Sequence, residues 1–187
     1  MHPSPAQLLS AARKYWPALK APQLEQESTP EFERLQALWE KELEQVDRWW
    51  TFLDEIEKKL PGFTIGDATA TPDASFRCIA YPGERPPRRF AVVGCISIIA
   101  PVFTVYGLEF EYVEGRRSVS KVCFEPLPTR MRIPADIIAR EIEATFESSA
   151  PPREIAELPI PLFVQRKEPP DTRLFHALFA SQPERVP

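Results

Sequence analysis

The chain has 187 residues, a mass of 21.4 kDa and a formal net charge of −4, which suits one folded domain and gives no basic footprint for nucleic acid. Hydrophobic residues make up 43% and charged residues 27% of the sequence, so a folded core is expected rather than a disordered tail. Glycine occurs 6 times and proline 22 times, which argues against glycine-rich phosphate loops and for rigid, extended connections.

Residues 1–62 are predicted to form a helical N-terminal part. A short helix over about 6–16 is followed by a strong helix start at 28–31, where Ser-Thr-Pro-Glu combines a hydroxyl cap, a proline in the first turn and an acid that complements the helix dipole. The next Pro-Gly pair stands at 61–62. The helix is therefore expected to be continuous to about Leu60 and roughly 45 Å long.

The apolar residues of this long helix repeat at helical spacing and share one arc of roughly 140°. Trp39, Trp49 and Trp50 lie inside the arc and are expected to seal the helix onto a sheet. Phe52 points roughly 110° away from the arc centre, among charged neighbours, and is predicted to be exposed. The complete arc consists of Phe32, Leu35, Leu38, Trp39, Leu43, Val46, Trp49, Trp50, Leu53, Ile56 and Leu60.

Residues 63–125 are predicted to form an antiparallel sheet, because the apolar periodicity changes there from helical spacing to alternating and continuous apolar runs. Glu114-Gly115 suits a tight hairpin turn, so consecutive strands are expected to pair as a meander. The predicted strands cover 75–81, 89–99, 102–113 and 116–124.

Residues 126–187 are predicted to contain a helix over about 134–146, a proline-rich extended segment with a possible edge strand at 162–164, and a C-terminal helix. The whole chain, 1–187, is interpreted as a single α+β domain. Its antiparallel sheet has about four to five strands and is packed on one side by the long N-terminal helix and further helices.

Cysteine and histidine are scarce and widely spaced. Cys78, Cys95 and Cys123 have no C-x-x-C spacing and are expected to be reduced thiols in the core. The only histidines are His2 and His176, so a histidine-based metal site or catalytic relay would depend on His176 alone. We therefore predict no catalytic residue, no metal and no cofactor.

The sequence also predicts a cytoplasmic protein that does not bind membranes. The N-terminus lacks the basic segment and long apolar run of a secretory signal. The longest apolar stretch, 90–105, is interrupted by Gly94 and Pro101 and is too short to span a bilayer.

Two candidate binding residues lie on the long helix. Phe52 is a candidate contact for a partner, because its direction places it on the surface. Glu42, together with Glu57, falls inside the apolar arc, where an unpaired carboxylate is costly. Glu42 is therefore either a carboxylate that pairs with an arginine or lies at the wet edge of the arc, or a perturbed acid in a pocket and so a candidate general acid or base.

Two charged clusters complete the candidates. Arg85, Arg88 and Arg89 form the main basic loop, which could bind phosphate or an acidic partner surface or be solvated. Glu109 and Glu111 stand two residues apart on one strand and so share a face. They are either an acidic patch that meets a basic partner or the plain solvent face of the sheet.

Three classes of function remain open. The first is a non-enzymatic intracellular protein that binds another protein. The second is an enzyme or small-ligand carrier with a pocket between the sheet and the long helix, to which Glu42 contributes. The third is a self-associating module that uses the long helix as the seam of a homo-oligomer.

The segments 90–101 (FAVVGCISIIAP), 110–115 (FEYVEG) and 158–163 (LPIPLF) resemble immunity proteins of bacterial polymorphic-toxin systems. This resemblance implies a non-enzymatic bacterial antidote that binds a cognate toxin and blocks its active site or a surface that the toxin needs. It assigns no particular functional residue.

Overall fold

Five antiparallel strands follow one another in chain order, so the sheet is a simple meander, β1-β2-β3-β4-β5. The computed structural model describes residues 3–20, 29–83, 85 and 87–187. The strands are β1 (Phe63–Asp67), β2 (Ser75–Pro82), β3 (Phe90–Ser97), β4 (Phe103–Val113) and β5 (Arg116–Cys123). The helices are α1 (Pro5–Ala12), α2 (Pro30–Leu43), α3 (Val46–Lys59), α4 (Thr129–Phe146), α5 (Arg153–Ala156) and α6 (Leu174–Leu178). The predicted α+β fold with its antiparallel sheet is confirmed.

One face of the sheet, the helix face, packs against α3 and α4. Two glycines let α4 lie directly on the strands: a Cβ added to Gly94 would lie 2.6 Å from Ile138, and one added to Gly107 would collide with Met131. Ile138 and Met131 are completely buried against these strands. Because such contacts leave no room for a methyl group, α4 is fixed closely over β3 and β4.

The opposite face, the tail face, is covered by the C-terminal segment 179–187, so neither face of the central strands is open to solvent. Side chains of the sheet donate hydrogen bonds to successive carbonyl groups of this segment and so hold it in place. Ser75 Oγ binds Phe179 O at 2.6 Å, Tyr106 OH binds Pro183 O at 3.0 Å, Arg77 Nη1 binds Arg185 O at 3.4 Å, and Tyr81 OH and Arg117 Nη2 both bind Pro187 O.

Asp73, which is only 6% exposed, joins three parts of the fold. Its Oδ1 accepts hydrogen bonds from the Ser181 N–H at 2.9 Å and hydroxyl at 2.8 Å, and its Oδ2 lies 3.6 Å from Nη2 of the buried Arg77. Its main-chain carbonyl accepts the indole N–H of Trp39 at 2.9 Å. Asp73 therefore ties α2, the sheet and the C-terminal segment to one another.

The predicted long helix is wrong, because the chain leaves the helical path at Glu44 and Gln45 and forms two helices. Gln45 has φ −113° and ψ 22°, outside the helical region. This break changes the rotational phase of α3, so that Phe52 is 1% exposed and Trp50 is 47% exposed, the reverse of the prediction. The start predicted at Ser28 lies outside the described residues, and Thr29 caps α2 by accepting the Phe32 N–H.

Aromatic packing explains why Phe52 turns inward. Its ring stacks on Trp49 at 5.1 Å between centroids and meets Phe146 of α4 edge-on at 5.4 Å, while Trp49 also packs against Phe76 of β2 at 5.2 Å. Packing in a buried aromatic cluster of this kind stabilises the fold more than an exposed Phe52 ring would. The candidate role of Phe52 as a surface contact is therefore incorrect.

Two further elements also differ from the prediction. The fifth strand is β1, which pairs with β2, and not 162–164, where only an isolated bridge joins Val164 to Lys167. The helix predicted from Pro134 begins at Thr129, with Pro134 inside it. Packing of Met131 against β4 stabilises this early turn although Pro134 contributes no N–H.

We expect Asp73→Ala to lower the free energy of unfolding by about 3–5 kcal/mol, because it leaves the buried Arg77 guanidinium without its carboxylate. Ser181→Ala, which removes one hydroxyl from the same carboxylate, is the control and should cost about 1 kcal/mol. Urea unfolding of both variants checks this, and equal losses would contradict the central position of Asp73.

Phe52→Ala is expected to lower the free energy of unfolding by about 3–5 kcal/mol, because it opens a cavity in the aromatic cluster. Trp50→Ala on the exposed side of the same helix should change it by less than about 0.5 kcal/mol. Thermal or chemical unfolding distinguishes this arrangement from a continuous helix, for which Trp50 would be the costly substitution.

Candidate binding site

The basic loop is partly committed to contacts within the fold. The Arg88 guanidinium lies 4.4 Å from the centre of the Tyr81 ring, and that of Arg89 lies 6.0 Å from the Tyr112 ring. Arg85 is exposed. Two of the three arginines thus lie over tyrosine rings at the end of the sheet.

The two acidic candidates on β4 have different surroundings. Glu109 is half-buried and forms an ion pair with Arg130 of α4 at 2.7 Å, because its side chain points to the helix face. Glu111, two residues farther along the strand, is exposed. The expectation that both are exposed is therefore wrong for Glu109.

Glu42 is half-buried and lines a cavity of about 390 Å³ at the junction of α2 and α3 with β3 and the turn after it. Trp49 lines the same cavity, and its buried indole N–H has no hydrogen-bond partner in the described part of the chain. A cavity between the sheet and the N-terminal helices thus exists where the sequence placed one. Glu57, by contrast, is exposed.

All three cysteines are buried free thiols, as predicted. Burial raises the pKa of Cys78 and of Cys95 to about 12, so both remain protonated at neutral pH. Burial also raises the pKa of Cys123 above its ordinary value, and the nearby Glu109 acts in the same direction.

A larger cavity, of about 710 Å³, lies beside β4 at the point where β5 has already ended; we call it the edge cavity. β5 pairs with β4 only from Gly107 onward, so the first residues of β4 have no strand on their outer side. Three helical segments, α4, α5 and the start of α6, surround this gap. The lining residues are Phe103, Thr104, Val105, Phe124, Glu125, Ala135, Asp136, Ala139, Glu143, Ala150, Pro151, Arg153, Ala156, Glu157, Arg173, Phe175 and His176.

The inner part of the edge cavity is apolar. Phe124 and Phe175 meet edge-on at 5.3 Å, and both also pack against Tyr106 of β4. Ala135 and Ala139 of α4 are small, so that helix leaves space above the strand edge. An apolar floor with a few polar groups at the rim is typical of a binding pocket.

The charged groups at the rim fall into two sets. Arg153 is occupied, because it pairs with Glu157 at 2.6 Å and donates to Glu125 O at 2.6 Å. Asp136 and Glu143, two turns apart on α4, form no ion pair within the described residues, and neither does Arg173 on the α6 side. The open charges are thus two carboxylates on α4 and one guanidinium across from them.

His176 is the one titratable ring in the lining of the edge cavity. Its Nδ1 accepts the Arg173 N–H at 2.9 Å, which places the proton of the neutral ring on Nε2. Burial, with Lys167 and Arg173 nearby, lowers the pKa of His176 to about 4. At neutral pH the ring is therefore an uncharged group whose Nε2–H has no partner among the residues that the structure describes.

Sequence reasoning missed this site because its lining comes from five separate stretches of the chain. His176 is an isolated histidine in the sequence, and Asp136, Glu143 and Arg173 belong to no motif. The sequence holds one signal of the site. β5 ends before Pro126 and Pro128, and is therefore too short to pair with the first residues of β4.

Within the described residues, no group of three or more histidine, cysteine, aspartate or glutamate side chains is arranged to hold a metal ion. In the same part of the chain, no helix has both the length and the apolar character needed to cross a bilayer. Comparison of the chain with protein-family models, curated proteins and solved structures gives no match.

The low pKa of His176 predicts a specific pH dependence of stability. The unfolded chain protonates this ring below about pH 6.5, whereas the folded protein does so only near pH 4, so stability should fall as the pH drops through this window. His176→Gln keeps an acceptor for the Arg173 N–H and removes the titration. We expect the loss of stability between pH 7.5 and pH 5.5 to be smaller in this variant, as measured by urea unfolding; equal losses would contradict the assignment.

Proposed function

We propose that this chain is a non-enzymatic protein-binding protein, and that the edge cavity receives a segment of its partner. The observation that carries this proposal is the combination, in one cavity of about 710 Å³, of an apolar floor, an unpaired stretch of strand edge and rim charges without partners. An open strand edge and an accessible apolar surface are liabilities for an isolated protein, so their presence together in one cavity favours a binding role.

In its most specific form, the proposal is that of an immunity protein: a bacterial, cytoplasmic antidote that binds one toxin directly. The support for this form is the resemblance of three segments to such proteins. One of them is β3 with the turn after it, at the centre of the sheet, and another is the β4–β5 hairpin. An acidic net charge of −4 favours a basic partner by electrostatic steering.

A small molecule is the second candidate occupant, because the volume of the edge cavity lies within the range of small-ligand sites, about 300–1,000 Å³. The smaller cavity beside Glu42 and Trp49 fits the same alternative. Self-association finds less support, since the apolar sides of α2 and α3 are covered by this chain's own core and leave only Leu43 and Trp50 strongly exposed on those helices.

The proposal is tested by affinity capture from the native cells with three versions of the tagged protein. Ala139→Phe places a ring in the edge cavity, and Ala144→Phe, on the exposed side of the same helix, is the matched control. We expect one stoichiometric partner to bind the wild type and Ala144→Phe, and its recovery to fall at least tenfold with Ala139→Phe.

A partner that all three versions retain equally would move the interface away from the edge cavity. The toxin form is tested separately, by assaying the partner's own activity with and without this protein. An activity that the protein leaves unchanged would contradict the antidote role but not the binding role.

A further inference from the structure

We propose that the occupant of the edge cavity is an extended peptide segment that adds to the open end of β4 and places a basic side chain against Asp136 and Glu143. This inference rests on the proposed function and specifies the chemistry of the partner.

The backbone of β4 offers a hydrogen-bonding edge within the cavity. Phe110 donates its N–H toward β3, to Arg89 O at 2.9 Å, so residues of the opposite parity direct their backbone groups away from β3. Phe103 has that parity, and its N–H is taken by Ser149 O at 3.2 Å. Val105 has the same parity, so its N–H and C=O also point away from β3. In the described residues no strand pairs with Val105 on that side.

Neighbouring segments are unable to occupy this edge themselves. The chain after β5 runs into Pro126 and Pro128, and the segment that reaches Phe103 from the other side continues as Ala150-Pro151-Pro152. Proline has no N–H to donate to a strand. The gap therefore remains as a short, recessed edge with α4, α5 and α6 around it, of a size that suits about three added residues at roughly 3.4 Å each.

Side-chain alternation then determines what an added strand would present. Val105 points to the helix face, like Gly107, so the residue paired with it would face α4, where Asp136 and Glu143 lie. Its two neighbours would face the tail side, where Phe124 and Phe175 form the apolar floor. The preferred sequence is therefore apolar, basic, apolar.

Charge favours a basic rather than an acidic central residue. Asp136 and Glu143 form no ion pair within the described part of the chain. Arg153 could bind an acidic peptide, but it already pairs with Glu157. Arg173 lies on the α6 side, together with the uncharged His176. A lysine or arginine facing α4 would thus meet two open carboxylates, while the open Arg173 guanidinium lies on the opposite side of the cavity.

The test uses the full chain and two capped, fluorescein-labelled heptapeptides, Gly-Thr-Phe-Lys-Phe-Thr-Gly and its counterpart with glutamate in place of lysine. Fluorescence anisotropy at low salt should show the lysine peptide binding at least tenfold more tightly than the glutamate peptide. Binding of the lysine peptide should weaken as salt is raised. Equal binding of the two peptides, or no binding of either, would overturn the inference.

Variants separate the charge from the strand edge. Asp136→Asn combined with Glu143→Gln should reduce the preference for lysine about tenfold, while Glu111→Gln, an exposed acid on the same strand outside the cavity, should leave it unchanged. N-methylation of the lysine's backbone nitrogen should weaken binding as well, since it removes a main-chain donor without altering charge. Unchanged affinity after N-methylation would exclude strand addition.

Hydrogen exchange at Val105 gives a direct readout of the edge. Its amide should exchange rapidly in the free protein and become protected when the lysine peptide is bound, whereas the amide of Tyr106, on the β3 side, should be protected in both states. If a native partner depends on Ala139 but the peptides do not bind, the proposed function stands and this inference fails. If neither depends on the cavity, both fail.

Discussion

The buried contact between Asp73 and Arg77 is the constraint on which the rest of the fold depends. Two charges in the interior are stable only when each finds its complement and further hydrogen bonds, and these two divide the available partners between them. Asp73 takes the backbone and hydroxyl of Ser181, and Arg77 reaches the carbonyl of Arg185. Both of those residues belong to the C-terminal segment, so the pair gains these hydrogen bonds only when that segment lies on the sheet, and Arg77 Nε still has no partner in the described residues. The main-chain carbonyl of Asp73 also accepts the indole N–H of Trp39. The docking of α2 is therefore coupled to the docking of the C-terminal segment.

The C-terminal segment in turn positions one wall of the edge cavity. α6 immediately precedes it, and Trp16 fixes α6 by donating its indole N–H to Ala177 O at 2.9 Å. Phe175 and His176, which line the cavity, are on this helix. A binding event at the edge cavity and the closure of the tail over the sheet therefore share a structural element. Burial raises the pKa of Tyr106 well above its ordinary value, so its hydroxyl remains a neutral donor to Pro183 O and continues to hold the tail next to that element.

The strands were predictable from sequence because alternation and continuous apolar runs are local signals, and β2 to β5 follow them closely. The long helix was not, although α3 taken alone has the pattern that its burial requires: Trp49, Phe52, Ile56 and Leu60 repeat at intervals of three and four residues. No glycine or proline marks the break at Glu44 and Gln45, so a single arc drawn through both helices assigned Phe52 and Trp50 to the wrong sides. Once α3 is separated from α2, its own periodicity places Phe52 against Phe146 and Trp49 against Phe76. The information that the sequence lacks is the position of the break.

The edge cavity was beyond sequence analysis for a related reason, since its walls meet only after the meander, α4 and the tail are all in place. The amino-acid composition nevertheless gives one indication of the edge cavity. With 22 prolines and 6 glycines, the chain connects its elements by segments that are rigid and poor in donors. Where such segments pass the end of β4, they lie close enough to build a cavity. Within the described residues they give the strand one main-chain hydrogen bond, in which Ser149 O accepts the Phe103 N–H. Neighbouring segments of the chain approach this edge but do not pair with it. Because the edge is short and recessed, it is protected from non-specific strand association. It stays available to a narrow, extended segment, which is the shape of occupant that the surrounding helices leave room for.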